Sequence, residues 1–346
     1  MSSYFSFITM FAAATAAFQL GRGVPIVTKK TIQNNNYRRS TPLLLSRSSS
    51  SNNNYGTGMD QTAMMESDIL IAVGTEDELV KGGRDVSKKE AHVFSKDKPR
   101  GILHRAFSFF LFDDQNRLLL TKRAASKITF PGVWTNSCCS HPLRYMTPEE
   151  VDDPSERTNK LEYKYDGAKH AARRKLLHEL GIDPQYITHD DIQYITKFHY
   201  WAADTQTYGT DTPPWGEHEV DYILFYKMKR DLPGLLNPCD DEVDEAKYVT
   251  PDELKTMLED IPAKEWSPWF RGIIERGFWK WWEDLDNGTL TGLHSNNDVI
   301  FFDPPPEYYA SFNHDPTHNR QTGVLNSEEK EVQSSKKKET VQIKTR

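Results

Sequence analysis

Residues 167–181 constrain the fold more than any other stretch. Ala168, Ala172, Leu176 and Leu180 recur at helical spacing and share one stripe that has to face a core. Gly181 follows the last of them and can take the left-handed conformation that closes a helix. Glu179 breaks this pattern, because at about 100° per residue it projects only about 20° from Ala172. A carboxylate aimed at a core is costly unless it is paired or holds a metal. Lys175, one turn earlier at the edge of the stripe, offers the plain alternative of an i, i+4 salt bridge.

Strand patterns surround this helix. Residues 69–73 read as a strand, and 106–112 with 117–121 as a hairpin turning through Asp113, Asp114, Gln115 and Asn116. Further strands are expected over 193–201 and 220–228, a short helix over 251–258 and a Trp-rich helix over 269–282. These elements mix without a regular βαβ repeat, which points to an α+β fold. Residues 1–60 differ in kind: no acid precedes Asp60, Ser and Asn abound, and Arg22, Lys29, Lys30, Arg38, Arg39 and Arg47 make the stretch basic. That composition resembles an organelle-targeting segment. The Ala16, Ala17, Phe18 step resembles the leaders of algae with complex plastids. A plastid is therefore the expected compartment, with a mitochondrion the alternative and the cytoplasm the location if the segment is no signal. The folded domain is expected over 61–283, an irregular extension over 284–326 and a charged, solvated tail over 327–346.

Of 346 residues, 37% are hydrophobic and 27% charged, ordinary values for a soluble protein with one fairly large core. The net charge of −7 makes the body acidic once the basic leader is set aside, which argues against general nucleic-acid binding. No apolar run is long enough to span a membrane. Three cysteines, two of them adjacent, cannot build a disulfide framework. A monomer is expected.

Chemistry is concentrated in a few groups. The run Thr135-Asn136-Ser137-Cys138-Cys139-Ser140-His141-Pro142 follows Phe130-Pro131-Gly132. In extended backbone, residues i and i+2 point the same way, so Cys139 and His141 can face one cavity. The same period puts Glu217, Glu219 and Asp221 on one strand face, where carboxylates about 7 Å apart repel unless a cation or solvent lies between them. An exposed face with ordinary acids is the alternative. His92, His104 and His141 follow no dense zinc spacing, yet with Glu217 and Glu219 they form a mixed set suited to zinc, manganese or magnesium if the fold gathers them. Lys122, Arg123 and Lys127 could clamp an anion beside the Cys139 loop, or form a solvated strand end. Trp269, in a turn fixed by Pro268, is either core or an aromatic face that stabilises a cation.

Together these stretches closely resemble the type I isopentenyl-diphosphate isomerases of the Nudix superfamily. The resemblance covers about 69–283 and is strongest through Leu103-His104-Arg105-Ala106-Phe107-Ser108, residues 130–143, residues 216–225 and Ser267-Pro268-Trp269. It implies a Nudix α/β/α sandwich with a mixed β-sheet. It also implies an isomerase that interconverts isopentenyl and dimethylallyl diphosphate by a metal-dependent 1,3 proton shift in isoprenoid precursor biosynthesis. Nudix hydrolases carry Arg-Glu-x-x-Glu-Glu-x-Gly on the helix, whereas this chain has Arg174-Lys175-Leu176-Leu177-His178-Glu179-Leu180-Gly181, so only Glu179 remains of that cluster. By resemblance, His92, His104, His141, Glu217 and Glu219 are ligands of a divalent metal, zinc, manganese or magnesium, and Glu179 holds a magnesium that bridges the substrate diphosphate. Lys88, Arg123, Lys127 and Lys175 match diphosphate-binding positions. Cys139, rather than Cys138, matches the catalytic thiol, with Glu219 and Tyr200 on the opposite face and Trp269 beside the developing cation. A Nudix hydrolase of nucleoside or prenyl diphosphates and a non-catalytic, metal-stabilised interaction module are the competing readings.

Overall fold

The computed structural model describes residues 61–80, 85–153, 165–229, 235–290 and 299–314; the leader over 1–60 and the tail over 327–346 lie outside them. In chain order the elements are α1 (Gln61–Ser67), β1 (Ile69–Ile71), β2 (Asp85–Ser87), α2 (Lys88–His92), β3 (His104–Phe112), β4 (Leu118–Arg123), β5 (Trp134–Thr135) and β6 (Cys138–Ser140). They continue with α3 (Asp166–Leu180), β7 (Gln193–Ala203), α4 (Thr205–Tyr208), β8 (Gly216–Lys227), β9 (Val243–Val249), α5 (Pro251–Asp260), α6 (Pro268–Ile273), α7 (Trp279–Asp286) and β10 (Val299–Phe302). Eight strands form one sheet in the order β10, β7, β8, β3, β4, β5, with β6 also paired to β3 and β9 to β4. The sheet is mixed, because β3 runs parallel to β8 and β10 to β7 while the other pairs are antiparallel. Among the described residues no helix is long and apolar enough to cross a membrane.

Alternation along the strands sorts two cores. Phe107, Phe109, Leu111, Tyr222 and Leu224 pack on Ala168, Ala172, Leu176 and Leu180 of α3. Phe110, Phe112, Phe198 and Phe225 pack instead on Phe270, Ile273, Phe278 and Trp281 from the other helical layer. Helices on both faces of a mixed sheet give the expected α+β sandwich. The α3 helix starts on a borrowed cap: the Asp152 carboxylate accepts the Gly167 and Ala168 N–H groups at 3.2 and 2.9 Å, satisfying donors that a helix start leaves open. It closes at Gly181, where φ is 68° and the N–H bonds the Leu177 carbonyl at 3.0 Å.

Three departures from expectation have physical causes. The expected hairpin is paired only beside its turn, where Phe112 opposes Leu118; β4 then pairs with β5 and β9, and β6 takes the place beside β3. That divergence carries Cys139 opposite Ser108 in mid-sheet. The Trp-rich helix breaks at Arg276 and Gly277, the latter at φ 125°, where a Cβ would also come within 2.7 Å of the Trp281 ring. The extension expected to be irregular over 284–326 contributes β10, whose Val299, Ile300, Phe301 and Phe302 oppose Lys197, Phe198, His199 and Tyr200. Four residues give too short a period to read.

Candidate active site

Strand register builds the site. His104 opposes Glu219, Glu219 opposes Tyr200 and Cys139 opposes Ser108, so these side chains share one face of the sheet. α2 adds Lys88 and His92; Ser87 fixes its start by accepting the Glu90 N–H at 3.1 Å.

Ligand atoms of His92, His104, His141, Glu217 and Glu219 all lie within 4.8 Å of one another. The three imidazole centroids are 4.8 to 5.0 Å apart. His92 Nδ1 lies 2.6 Å from the Lys88 carbonyl and His104 Nδ1 lies 2.7 Å from that of Ile102. A carbonyl can only accept, so both rings carry hydrogen on Nδ1 and, when neutral, aim a bare Nε2 lone pair inward. Carboxylate oxygens meet these nitrogens: Glu217 Oε2 is 2.7 Å from His92 Nε2, and Glu219 Oε1 is 2.9 Å from His141 Nε2. Burial, with the neighbouring imidazoles, lowers His104 to about 3 and His141 well below the usual range. Burial and the Glu217 and Asp221 carboxylates push Glu219 well above the usual carboxylate range. The idea of an exposed acidic face is removed, since Glu217, Glu219 and Asp221 are 5%, 6% and 1% exposed. Lone pairs facing carboxylates in a dry setting are relieved by a cation, and this donor set could hold a divalent metal.

Beside the cluster, Lys88, Ala106, Ser108, Arg123, Lys127, Cys139, Lys175, Glu179, Tyr200 and Trp269 line a narrow cleft. Burial pushes the Cys139 thiol up to about 12 despite Arg123, whose Nη1 is 3.7 Å from the sulfur, so the thiol keeps its proton at neutral pH. Arg123 donates to the Phe130 and Thr129 carbonyls at 2.9 and 2.8 Å and lies 5.4 Å from the Trp269 ring centroid. Tyr200 donates to Glu219, and burial with the surrounding carboxyl groups pushes the phenol well above its usual range. Trp269 is set by the start of α6, where Ser267 accepts the Phe270 N–H and Pro268 opens the helix. Its indole N–H donates to Asn136 Oδ1 at 3.2 Å.

The fold thus brings together the residues that the sequence suggested, with one exception. Lys122 is not among the side chains lining the cleft; its ammonium lies 5.9 Å from the Trp134 ring centroid. Lys175 makes the i, i+4 salt bridge with Glu179 at 3.1 Å, and both side chains line the cleft. Cys138 faces the α3 core, fully buried. Two contributors had no sequence signal. Asn136 donates to the Phe109 and Cys138 carbonyls at 3.1 and 2.8 Å and so fixes the acceptor for Trp269. Glu242, hidden in the acidic run after Cys239, pairs with Lys127 and lies 3.6 Å from Lys175.

The family profile described as NUDIX domain matches residues 102–270. An isopentenyl-diphosphate delta-isomerase of Schizosaccharomyces pombe is 46% identical over 230 residues, which span 66% of this chain and 90% of that protein. The chain belongs to the type I isopentenyl-diphosphate isomerases of the Nudix superfamily. Further members of the family include an isopentenyl-diphosphate delta-isomerase of Gibberella zeae, 41% identical over 67% of this chain and 83% of that protein. A chloroplastic isopentenyl-diphosphate delta-isomerase of Cannabis sativa is 41% identical over 67% of this chain and 75% of that protein. The mixed sheet between helical layers is this family's Nudix fold, and β10 lies beyond the segment that the family profile covers.

Proposed function

We propose that this protein interconverts isopentenyl diphosphate and dimethylallyl diphosphate by a metal-dependent 1,3 proton shift, in isoprenoid precursor biosynthesis. One observation carries the reading: the Cys139 thiol and the Tyr200–Glu219 pair share one cleft beside a gathered His/Glu ligand set. Moving the double bond requires a proton added at one carbon and another removed elsewhere, through a tertiary, carbocation-like centre sheltered from water. Strands β6 and β8 flank β3, so Cys139 and Glu219 stand on either side of Ala106 in the cleft lining. Cys139 serves one face of the alkene, and Glu219 with Tyr200 serves the other. Trp269 lays its π face near the developing charge, a term of about 0.5 to 2 kcal/mol.

Lys88, Arg123, Lys127 and Lys175 bind the diphosphate, with Glu242 holding the last two lysines in place. That remote anchor converts proton transfer into an effectively intramolecular step. His92, His104, His141, Glu217 and Glu219 would hold a zinc, manganese or magnesium ion, and Glu179 a magnesium shared with the diphosphate. Held by these five residues, a divalent ion would supply positive charge to offset the two carboxylates. The basic leader, which carries no acid before Asp60, and the chloroplastic relative support a plastid, and the folded unit, which extends through β10, acts as a monomer on a prenyl diphosphate.

Hydrolysis is disfavoured because Lys175 and His178 stand where the hydrolases carry acids. The test is incubation of the purified protein with isopentenyl diphosphate and magnesium, with separation of the products. The dimethylallyl isomer is expected without phosphate release. No turnover by folded, metal-loaded protein would sink the proposal, and released phosphate would establish the hydrolase instead.

A further inference from the structure

We infer that Phe302, on the C-terminal strand β10, is a positioning residue for Tyr200 and, through it, for Glu219; the inference rests on the isomerase reading above. β10 runs parallel to β7 with Phe302 directly opposite Tyr200. The two rings stack with centroids 5.5 Å apart and planes 8° from parallel. The Tyr200 ring also lies 6.4 Å from that of Trp269. A tyrosine side chain has two rotatable bonds, and its hydroxyl must reach a carboxylate that also serves His141. Displacement of a reacting group by about 1 Å costs up to about 10²-fold in rate.

Phe302 is itself held on several sides. It is buried, and its ring meets that of Phe198 edge-on at 5.7 Å. A Cβ added at Gly272 would fall within 2.3 Å of the ring, so the missing side chain of Gly272 is the space that Phe302 occupies. The Arg276 guanidinium lies 4.4 Å from the ring centroid. Gly272 sits one turn beyond Trp269 on α6, so one short helix both carries Trp269 to the cleft and seats Phe302. The chain after β10 is tied down as well. Asp303 accepts the Trp201 indole N–H at 3.2 Å, and Glu307 pairs with Arg271 at 2.7 Å. A C-terminal extension outside the family profile thus forms a backing wall for a residue of the proposed proton-transfer pair.

Two variants probe this from opposite sides. Phe302→Leu keeps an apolar side chain but removes the stacked face. Gly272→Ala leaves Phe302 intact and pushes its ring from its seat. Both are assayed as full chains with isopentenyl diphosphate beside the parent, with rates corrected for the folded fraction. In each, kcat is expected to fall about tenfold while KM stays within about twofold, since orientation for the chemical step is lost and diphosphate anchoring is kept. In a Tyr200→Phe background, Phe302→Leu is expected to cost less than about twofold more, because its effect passes through the lost hydroxyl. A parent that isomerises together with variants that match it overturns the inference. So does an equal loss with and without the Tyr200 hydroxyl, which would mark a merely structural role. A folded parent with no isomerase activity overturns the proposed function, and this inference with it.

Discussion

His104 and Arg105 are neighbours on β3, and alternation sends them to opposite faces of the sheet. On the Arg105 face, the fully buried Asp77 accepts Arg105 Nε at 2.8 Å, Lys197 Nζ at 2.7 Å and the Tyr222 hydroxyl at 2.7 Å. Arg105 also donates to the Asp77 carbonyl at 2.9 Å and to the Asp152 carbonyl. Donors and acceptors there answer one another within the chain. On the His104 face, three imidazoles and two carboxyl groups converge, and the bare Nε2 atoms of neutral His92 and His104 and the Glu217 Oε2 that faces His92 are left without a donor. Both groups are buried, yet only the first is balanced. A buried polar group that balances itself holds the fold, whereas one left with surplus acceptors is built to receive a cation.

The sharpest contrast in rate lies between adjacent thiols. Cys139→Ala is expected to lower isomerase turnover by at least about 10³-fold, the scale of a lost general acid. Cys138→Ala, on the α3 side, should stay within a few-fold, and steady-state assays giving the reverse would assign the proton transfer to Cys138. Next come two matched carboxylate substitutions. Asp77→Asn should cost about 3 kcal/mol in urea unfolding, because it strips the countercharge from buried Arg105 and Lys197, and should leave bound metal unchanged. Glu217→Gln should lose bound metal instead, and should cost the metal-free protein less than Asp77→Asn does, because it also removes a charge that repels Glu219 and Asp221. If both substitutions destabilise the metal-free protein alike, the two faces do not differ as argued.

The smallest expected effect is a pH dependence. Burial, reinforced by Arg100, lowers His199 to about 4, below its unfolded value of about 6.5. The fold favours the neutral ring, so this stabilisation is complete above about pH 6.5 and is lost as pH falls toward 4. His199→Gln should therefore flatten the acid limb of stability against pH by about 2 kcal/mol. An unchanged limb would show that carboxylates alone set it.

Much of this was legible in the sequence, for physical reasons that also mark where reading stops. The α3 stripe and the Gly181 end were readable because helical period and cap chemistry are local. Glu217, Glu219 and Asp221 shared a face because strand period is local too. The convergence of His92, His104 and His141 came from resemblance, since no spacing encodes it. The divergence of β4 from β3 was hidden because pairing partners are chosen by distant segments. The roles of Asn136, though it lies in the Cys139 run, and of Glu242 were hidden, as they depend on partners far along the chain.

The most direct test of the unbalanced face is metal dependence measured on one set of samples. The protein is stripped with a chelator, refilled with one divalent ion at a time, and assayed for bound metal and for isomerisation of isopentenyl diphosphate. Turnover should be absent from the stripped protein and should return in proportion to metal bound, with Glu217→Gln recovering neither. Full turnover by the metal-free parent, with chelator still present, would contradict a cation-receiving site.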